Sequence, residues 1–275
     1  MNEEIIQFGD NENLVGVLSK PDEIQIDKPI FIFVNSGLLH RVGPFRIYVA
    51  TSRELAKNNF TSLRMDLSGK GDSQPKQNSL SLKDNINQDI VDAMDHLQAK
   101  LGVKQFVICG ICTGADNAYE ISFNDERVKG IVPIDGYAYP TSTFHIKKLL
   151  SRLTSKNSWL NLLGKVLPLN RNKSQKRLDK SSVSSDYRMI FPEKAIFKQR
   201  LASTLENGTK LLVIFTGGWY MFYNHKNQFK DSIQELYSED KIQVEYNQKS
   251  DHTFILQKDK EWLISTVVDW AKVNF

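Results

Sequence analysis

The 275-residue sequence contains only two cysteines, Cys109 and Cys112, too few for a disulfide scaffold. It also lacks a long apolar run. The longest, Ile30 to Val34 and Leu211 to Phe215, fall far short of the roughly 18 to 20 residues of a membrane span. The opening residues Met1-Asn2-Glu3-Glu4-Ile5-Ile6 have neither the basic flank nor the apolar stretch of a secretory leader, so a cytoplasmic location is expected. No internal repeat or low-complexity tract is present. No second paired-ligand cluster accompanies the cysteines, so no zinc site is read here, and neither a metal nor an organic cofactor nor a nucleic-acid partner is implied. What remains, 40% hydrophobic and 25% charged residues, is the composition of a globular chain.

Short β-rich runs recur along that chain: Glu4 to Phe8, Leu14 to Leu18, Ile30 to Val34, Ser62 to Met65, Phe106 to Cys109, Gly130 to Ile134, Leu211 to Phe215 and Ile242 to Tyr246. The later runs are almost wholly apolar, as strands covered on both faces must be. Between them Ile86, Ile90, Ala93, Met94 and Leu97 recur at helical spacing behind Ser81-Leu82-Lys83-Asp84, a capping box with Asp in place of Glu. Strand-helix-strand alternation predicts an α/β fold, a mostly parallel eight-stranded sheet with helices on both faces.

Charge divides the chain unevenly. Residues 141–210 hold 15 Lys or Arg against 4 Asp or Glu, and the remainder 21 against 28. This predicts a body at 1–140 and 211–275 with a basic helical cap insertion at 141–210. Such an insertion would face an anionic substrate or, as a peripheral contact, a membrane surface, unless it is simply a solvated lysine-rich face. Ile146, Leu149, Leu150 and Leu153 share one helical face among Lys147, Lys148, Arg152 and Lys156, and that stripe is expected to pack on the body. The Asn170 to Ser185 stretch reads as a loop.

The segment Phe106 to Ala118 carries an apolar strand into a helix, with Gly110-Ile111-Cys112-Thr113-Gly114-Ala115 at the junction. This is a strained G-x-nucleophile-x-G turn, in which the small residues let backbones approach. A helix N-terminus stabilises a thiolate, so Cys112 suits the nucleophile position. The same residues also allow a Cys109-Cys112 dithiol or two structural thiols; against the dithiol, Cys109 belongs to the apolar strand and Gly114-Ala115 serves only the turn.

Among five histidines, His252 stands between the last strand and the C-terminal helix, following the nucleophile in chain order, and is the candidate base. Residues 207–230, where the orienting acid usually falls, contain no Asp or Glu. The preceding strand ends in Asp135, which is therefore the candidate acid, with a two-residue Cys-His system or another carboxylate as the alternative. The backbone N–H of Thr113 and that of Leu38, in the loop after Ile30 to Val34, are the expected oxyanion donors. His40 and Arg41 in that loop are candidate substrate contacts, or else partners in a surface salt bridge.

Taken together, Ser36-Gly37-Leu38, Asp66-Leu67-Ser68-Gly69-Lys70-Gly71-Asp72-Ser73, the Gly110 to Ala115 turn and His252 resemble the α/β-hydrolase superfamily across nearly the whole chain. More narrowly, Asn35 to Pro44 with Gly110 to Ala115 looks like a group of bacterial hydrolases found beside exopolysaccharide and exosortase genes. The resemblance implies a cysteine nucleophile, as in dienelactone hydrolases, and hydrolysis or transfer of an acyl group of an ester or thioester. A binding protein that kept this fold without efficient chemistry, and a dithiol redox protein, are the rival readings.

Overall fold

The computed structural model describes residues 1–154 and 191–275. All eight expected strands form: β1 (Asn2–Phe8), β2 (Leu14–Lys20), β3 (Ile30–Phe33), β4 (Ser62–Asp66), β5 (Phe106–Ile111), β6 (Val128–Ile134), β7 (Lys210–Thr216) and β8 (Ile242–Asn247). They make one sheet in the order β1-β2-β4-β3-β5-β6-β7-β8. Strand β2 is antiparallel to β1 and β4, and every other pair is parallel. The chain leaves β3 for β4 on one side and returns to β5 on the other, so β3 and β5 flank a topological switch point. Ligands of open α/β sheets gather at the C-terminal strand ends there.

The period of two in an extended chain assigns side chains to the two faces. Along β5, Phe106 and Ile108 enter one core with α2 (Leu82–Leu101) and α3 (Thr113–Ser122). Val107, Cys109 and Ile111 enter the other, with α1 (Ile47–Lys57) and the C-terminal helix. Cys109 is thereby buried in apolar surroundings. Helix α2 starts where its capping box predicts: Ser81 Oγ accepts the Asp84 N–H at 3.2 Å and donates to Asp84 Oδ2 at 2.7 Å.

The basic segment divides differently from the charge count. Helix α4 (Ser142–Thr154) follows β6, and within it Ile146 and Leu149 are each 58% exposed, so the expected packing of that stripe on the body is not made by these two residues. The next described helix, α5 (Lys194–Glu206), is a body helix: Phe197, Leu201 and Leu205 are buried in the main core, and Arg200 pairs with Glu120 of α3 at 2.7 Å. Its lysines are the solvent side of an amphipathic helix, which is why charge alone extended the insertion to residue 210. The loop expected at 170–185 lies outside the described residues. Helices α6 (Gln228–Ile233) and α7 (Gln257–Asn274) complete the body. No helix among the described residues is long and apolar enough to cross a membrane.

Candidate active site

Strand β5 delivers Cys112 to the first position before α3, at φ 56° and ψ −120°, a conformation that L-residues rarely adopt. The turn is held from three sides. The Cys112 N–H donates to Ile134 O at 2.9 Å, and the Cys112 carbonyl accepts the Ala115 N–H at 2.8 Å. Tyr48 Oη, fully buried, accepts the Ile111 N–H at 3.1 Å, a group that β3 has become too short to pair. A Cβ on Gly110 would stand 2.2 Å from the Gly114 backbone, so only glycine lets strand and helix cross here.

His252 lies in the loop between β8 and α7. Its Nδ1–H donates to Asp135 Oδ2 at 2.7 Å, and the imidazole lies close enough to Cys112 to be influenced by it. Burial disfavours the imidazolium, but the hydrogen bonds and negative charges of Asp135 and Cys112 outweigh it and raise the group to about 10. Asp135 is itself wholly buried at the end of β6, with φ 50°. It accepts two more hydrogen bonds, from the Thr216 N–H to Oδ1 at 2.7 Å and from the Thr216 hydroxyl to Oδ2 at 2.6 Å. Three donors hold one buried carboxylate, which fixes its orientation toward His252. Asp251, the neighbour in sequence, accepts from Thr253 N–H at 2.8 Å, Thr253 Oγ1 at 2.5 Å and Ile255 N–H at 3.1 Å, and so closes its own turn.

The oxyanion loop reaches the same place. The Gly37 N–H donates to Thr113 Oγ1 at 2.8 Å, which docks the loop on the residue after Cys112. Among the described residues the Leu38 and Thr113 N–H groups have no hydrogen-bond partner. Two free backbone donors beside a nucleophile are what a developing oxyanion requires. The loop is fastened underneath by Asn35, whose Nδ2 donates to Leu39 O at 2.7 Å and Asp66 Oδ1 at 2.9 Å.

His40 and Arg41 were expected at the cleft as substrate contacts, and the structure gives Arg41 other work. Its guanidinium is bonded to buried Asp66, to Asp72 at 2.6 Å and to His40 Nε2 at 2.7 Å, and its side chain is only 12% exposed. That is the salt-bridge alternative, with desolvated Asp66 as the reason. The guanidinium also supplies the positive charge that a metal ion would otherwise bring to the His40, Asp66 and Asp72 cluster. His40 keeps 38% side-chain exposure.

Two functional contacts escaped the sequence. Thr216 is one, because nothing in a strand-end threonine announces a carboxylate partner. The other is Trp219, whose ring stacks on His252 with centroids 5.0 Å apart and planes at 15°. The glycine pair before it was the available signal: a Cβ on Gly218 would lie 2.3 Å from the His252 nitrogen, and one on Gly217 1.9 Å from Gln248 O. The loop after β7 can approach the histidine loop only without side chains at these positions.

The sheet order, with the sharp strand-to-helix turn at Cys112 and a histidine after the last strand, is that of the α/β-hydrolase fold, and solved structures agree. The chain is similar to a putative α/β hydrolase of unknown function from Agrobacterium tumefaciens (14% identity, covering 98% of this chain and 95% of that one, TM-score 0.57). It is similar to an α/β serine hydrolase without lid from Xanthomonas campestris (13%, 98% and 94%, TM-score 0.56) and to a dienelactone hydrolase from Anabaena variabilis (13%, 100% and 98%, TM-score 0.57). No protein-family model and no curated protein matches the sequence.

Proposed function

We propose that the protein is a hydrolase that cleaves an ester or thioester through an acyl-enzyme on Cys112. The observation that carries this reading is the bond from His252 Nδ1 to buried Asp135 at 2.7 Å, with the imidazole close enough to Cys112 to be raised by it, at the C-terminal edge of the sheet. In the first step the sulfur of Cys112 attacks the substrate carbonyl with the proton already held on His252 Nε2, since the imidazole is raised to about 10. The carbonyl oxygen takes the negative charge beside the Leu38 and Thr113 N–H groups. His252 then gives the proton to the departing alcohol or thiol, leaving a thioester on Cys112. Water, deprotonated by the same imidazole, attacks that thioester and releases the carboxylic acid and the free thiol. Asp135 keeps the Nδ1–H tautomer in place throughout and stabilises the imidazolium.

Burial of Cys109 and its membership of the strand favour this over the dithiol. Burial raises the Cys109 thiol well above its ordinary range, which makes it a poor partner in thiol exchange. The likeness of Asn35 to Pro44 and Gly110 to Ala115 to hydrolases encoded beside exopolysaccharide genes supports a place in polysaccharide-related metabolism. The test is a panel of p-nitrophenyl esters and acyl thioesters of graded chain length, read by turnover and by intact mass. An acyl adduct on Cys112 is expected, absent in Cys112→Ala and slowed in His252→Asn. Turnover that survives Cys112→Ala would remove the mechanism.

A further inference from the structure

Asp116 stands one turn of α3 beyond Cys112, its N–H donating to the Cys112 carbonyl at 3.3 Å. Its Oδ1 is buried and has no hydrogen-bond partner, and neither has the buried hydroxyl of Tyr119 beside it. Buried polar atoms in native proteins are nearly always paired, so an orphan carboxylate oxygen one turn from Cys112 asks for a group that the described residues do not provide. The residue as a whole remains partly accessible.

Aromatic rings run from this carboxyl back to the catalytic histidine. Asp116 is near enough to Tyr137 and Tyr139 to disfavour their ionisation. Phe191 meets Tyr137 edge-on at 5.7 Å, Phe222 meets Phe191 at 5.3 Å, Trp219 meets Phe222 at 4.9 Å, and Trp219 stacks on His252. We propose that Asp116 and this aromatic series form a binding site for an organic cation, such as a quaternary ammonium group, carried by the substrate. The proposal rests on the hydrolase reading only in assigning that cation to a substrate.

The charges around Asp116 favour a cation over an anion or a neutral polar group. Glu120, one turn further along α3, is already neutralised by Arg200 of α5 and Lys83 of α2. Among the described residues the remaining titratable groups facing the carboxyl are the hydroxyls of Tyr119, Tyr137 and Tyr139, with Cys112 and His252 at the other end. Burial raises Asp116 to about 8, and among the described residues no neighbouring positive charge opposes it. A cation would supply that missing charge and would also meet the negative faces of the rings, whereas a neutral hydroxyl would use only the hydrogen bond.

The test compares choline with its uncharged isostere 3,3-dimethylbutan-1-ol by isothermal titration of the wild-type protein and Asp116→Asn. At about pH 9 choline should bind at least about tenfold more tightly than the isostere, a preference from the carboxylate and the ring faces together. At about pH 6.5 the preference should shrink about tenfold or more, because only the ionised fraction of Asp116 is competent. Asp116→Asn, or Asp116→Ser if the first variant folds poorly, should cut it to the smaller part that the ring faces supply and remove its pH dependence. Equal affinities, no binding of either compound, a preference undiminished in both variants, or tighter choline binding at the lower pH would each overturn the proposal. The titration needs no turnover. Intact Cys112 acylation without cation binding defeats this proposal alone, and cation binding without acylation defeats the hydrolase reading alone.

Discussion

Strands β6 and β7 lie side by side and end at the same edge of the sheet, yet their ends are built on opposite plans. The first ends in a buried carboxylate, Asp135, with positive φ. The second ends in Thr216-Gly217-Gly218-Trp219, in a stretch from 207 to 230 without one acid. What β7 supplies is everything around the carboxylate: two donors from Thr216 and an aromatic ring against His252. The contrast teaches that the triad geometry is fixed by a point in space within reach of two neighbouring strand ends, and the chain divides the parts between them. It also shows why the division cannot simply be reversed. Side chains on Gly217 or Gly218 would run into Gln248 and His252.

The sharpest way to break the comparison is to remove the acid from β6. Asp135→Asn should lower kcat/KM by about a thousandfold or more, since the histidine loses both its tautomer control and the charge that stabilises it. Asp251→Asn should leave kinetics near wild type, and adding Gly218→Asp to Asp135→Asn should not restore activity. Equal loss in Asp135→Asn and Asp251→Asn, measured on one ester, would dissolve the distinction between the strand ends.

Next in size is Thr216→Val, which keeps the shape of the β7 end but deletes the hydroxyl donor to Asp135. A drop in kcat of about tenfold is expected, from a charge-assisted hydrogen bond of about 1.5 to 3 kcal/mol lost in part to relaxation. KM should change little, the pH profile should move, and Thr216→Ser should recover most of the rate. Smaller again is Trp219→Leu, where loss of the stack on His252, about 0.5 to 1.5 kcal/mol, predicts a rate decrease of about three- to tenfold.

Two further effects appear in stability rather than rate. The folded-state value of His252 is raised from 6.5 to about 10, so its stabilising contribution is complete below about pH 6.5 and fades as pH rises through about 10. Thermal melts of Asp135→Asn should lose part of this alkaline slope. Asp116 has the opposite chemistry and the same sign. Protonated in the fold up to about 8 but ionised in the unfolded chain above 3.8, it stabilises least at high pH. The melting temperature of Asp116→Asn relative to wild type should therefore rise between about pH 4 and about pH 8; a pH-independent difference would mean that the carboxyl ionises normally.

The central strands β3, β5, β6 and β7 were legible because each is an apolar run bounded by turn residues, and burial on two faces demands that pattern. The elbow was legible because a crossing of 2.2 Å leaves no residue but glycine at 110, so sequence and geometry are tied. The His252 position followed from chain order. Thr216 and Asp116 were not legible, because each matters through a neighbour 81 residues away in one case and through the lack of any neighbour in the other. Charge alone counted α5 with the insertion, although Phe197, Leu201 and Leu205 lie in the main core.

The backbone of Cys112 carries a consequence beyond the reaction. With φ 56° and ψ −120° at a residue bearing a side chain, the native state holds local strain of about 1 to 3 kcal/mol that glycine would not incur. Cys112→Gly should therefore be inert yet melt at a higher temperature than the wild-type protein. Repeated selection for thermal robustness alone would push this position away from cysteine. Retention of the nucleophile in stabilised variants would then measure how strongly activity is under selection at the elbow.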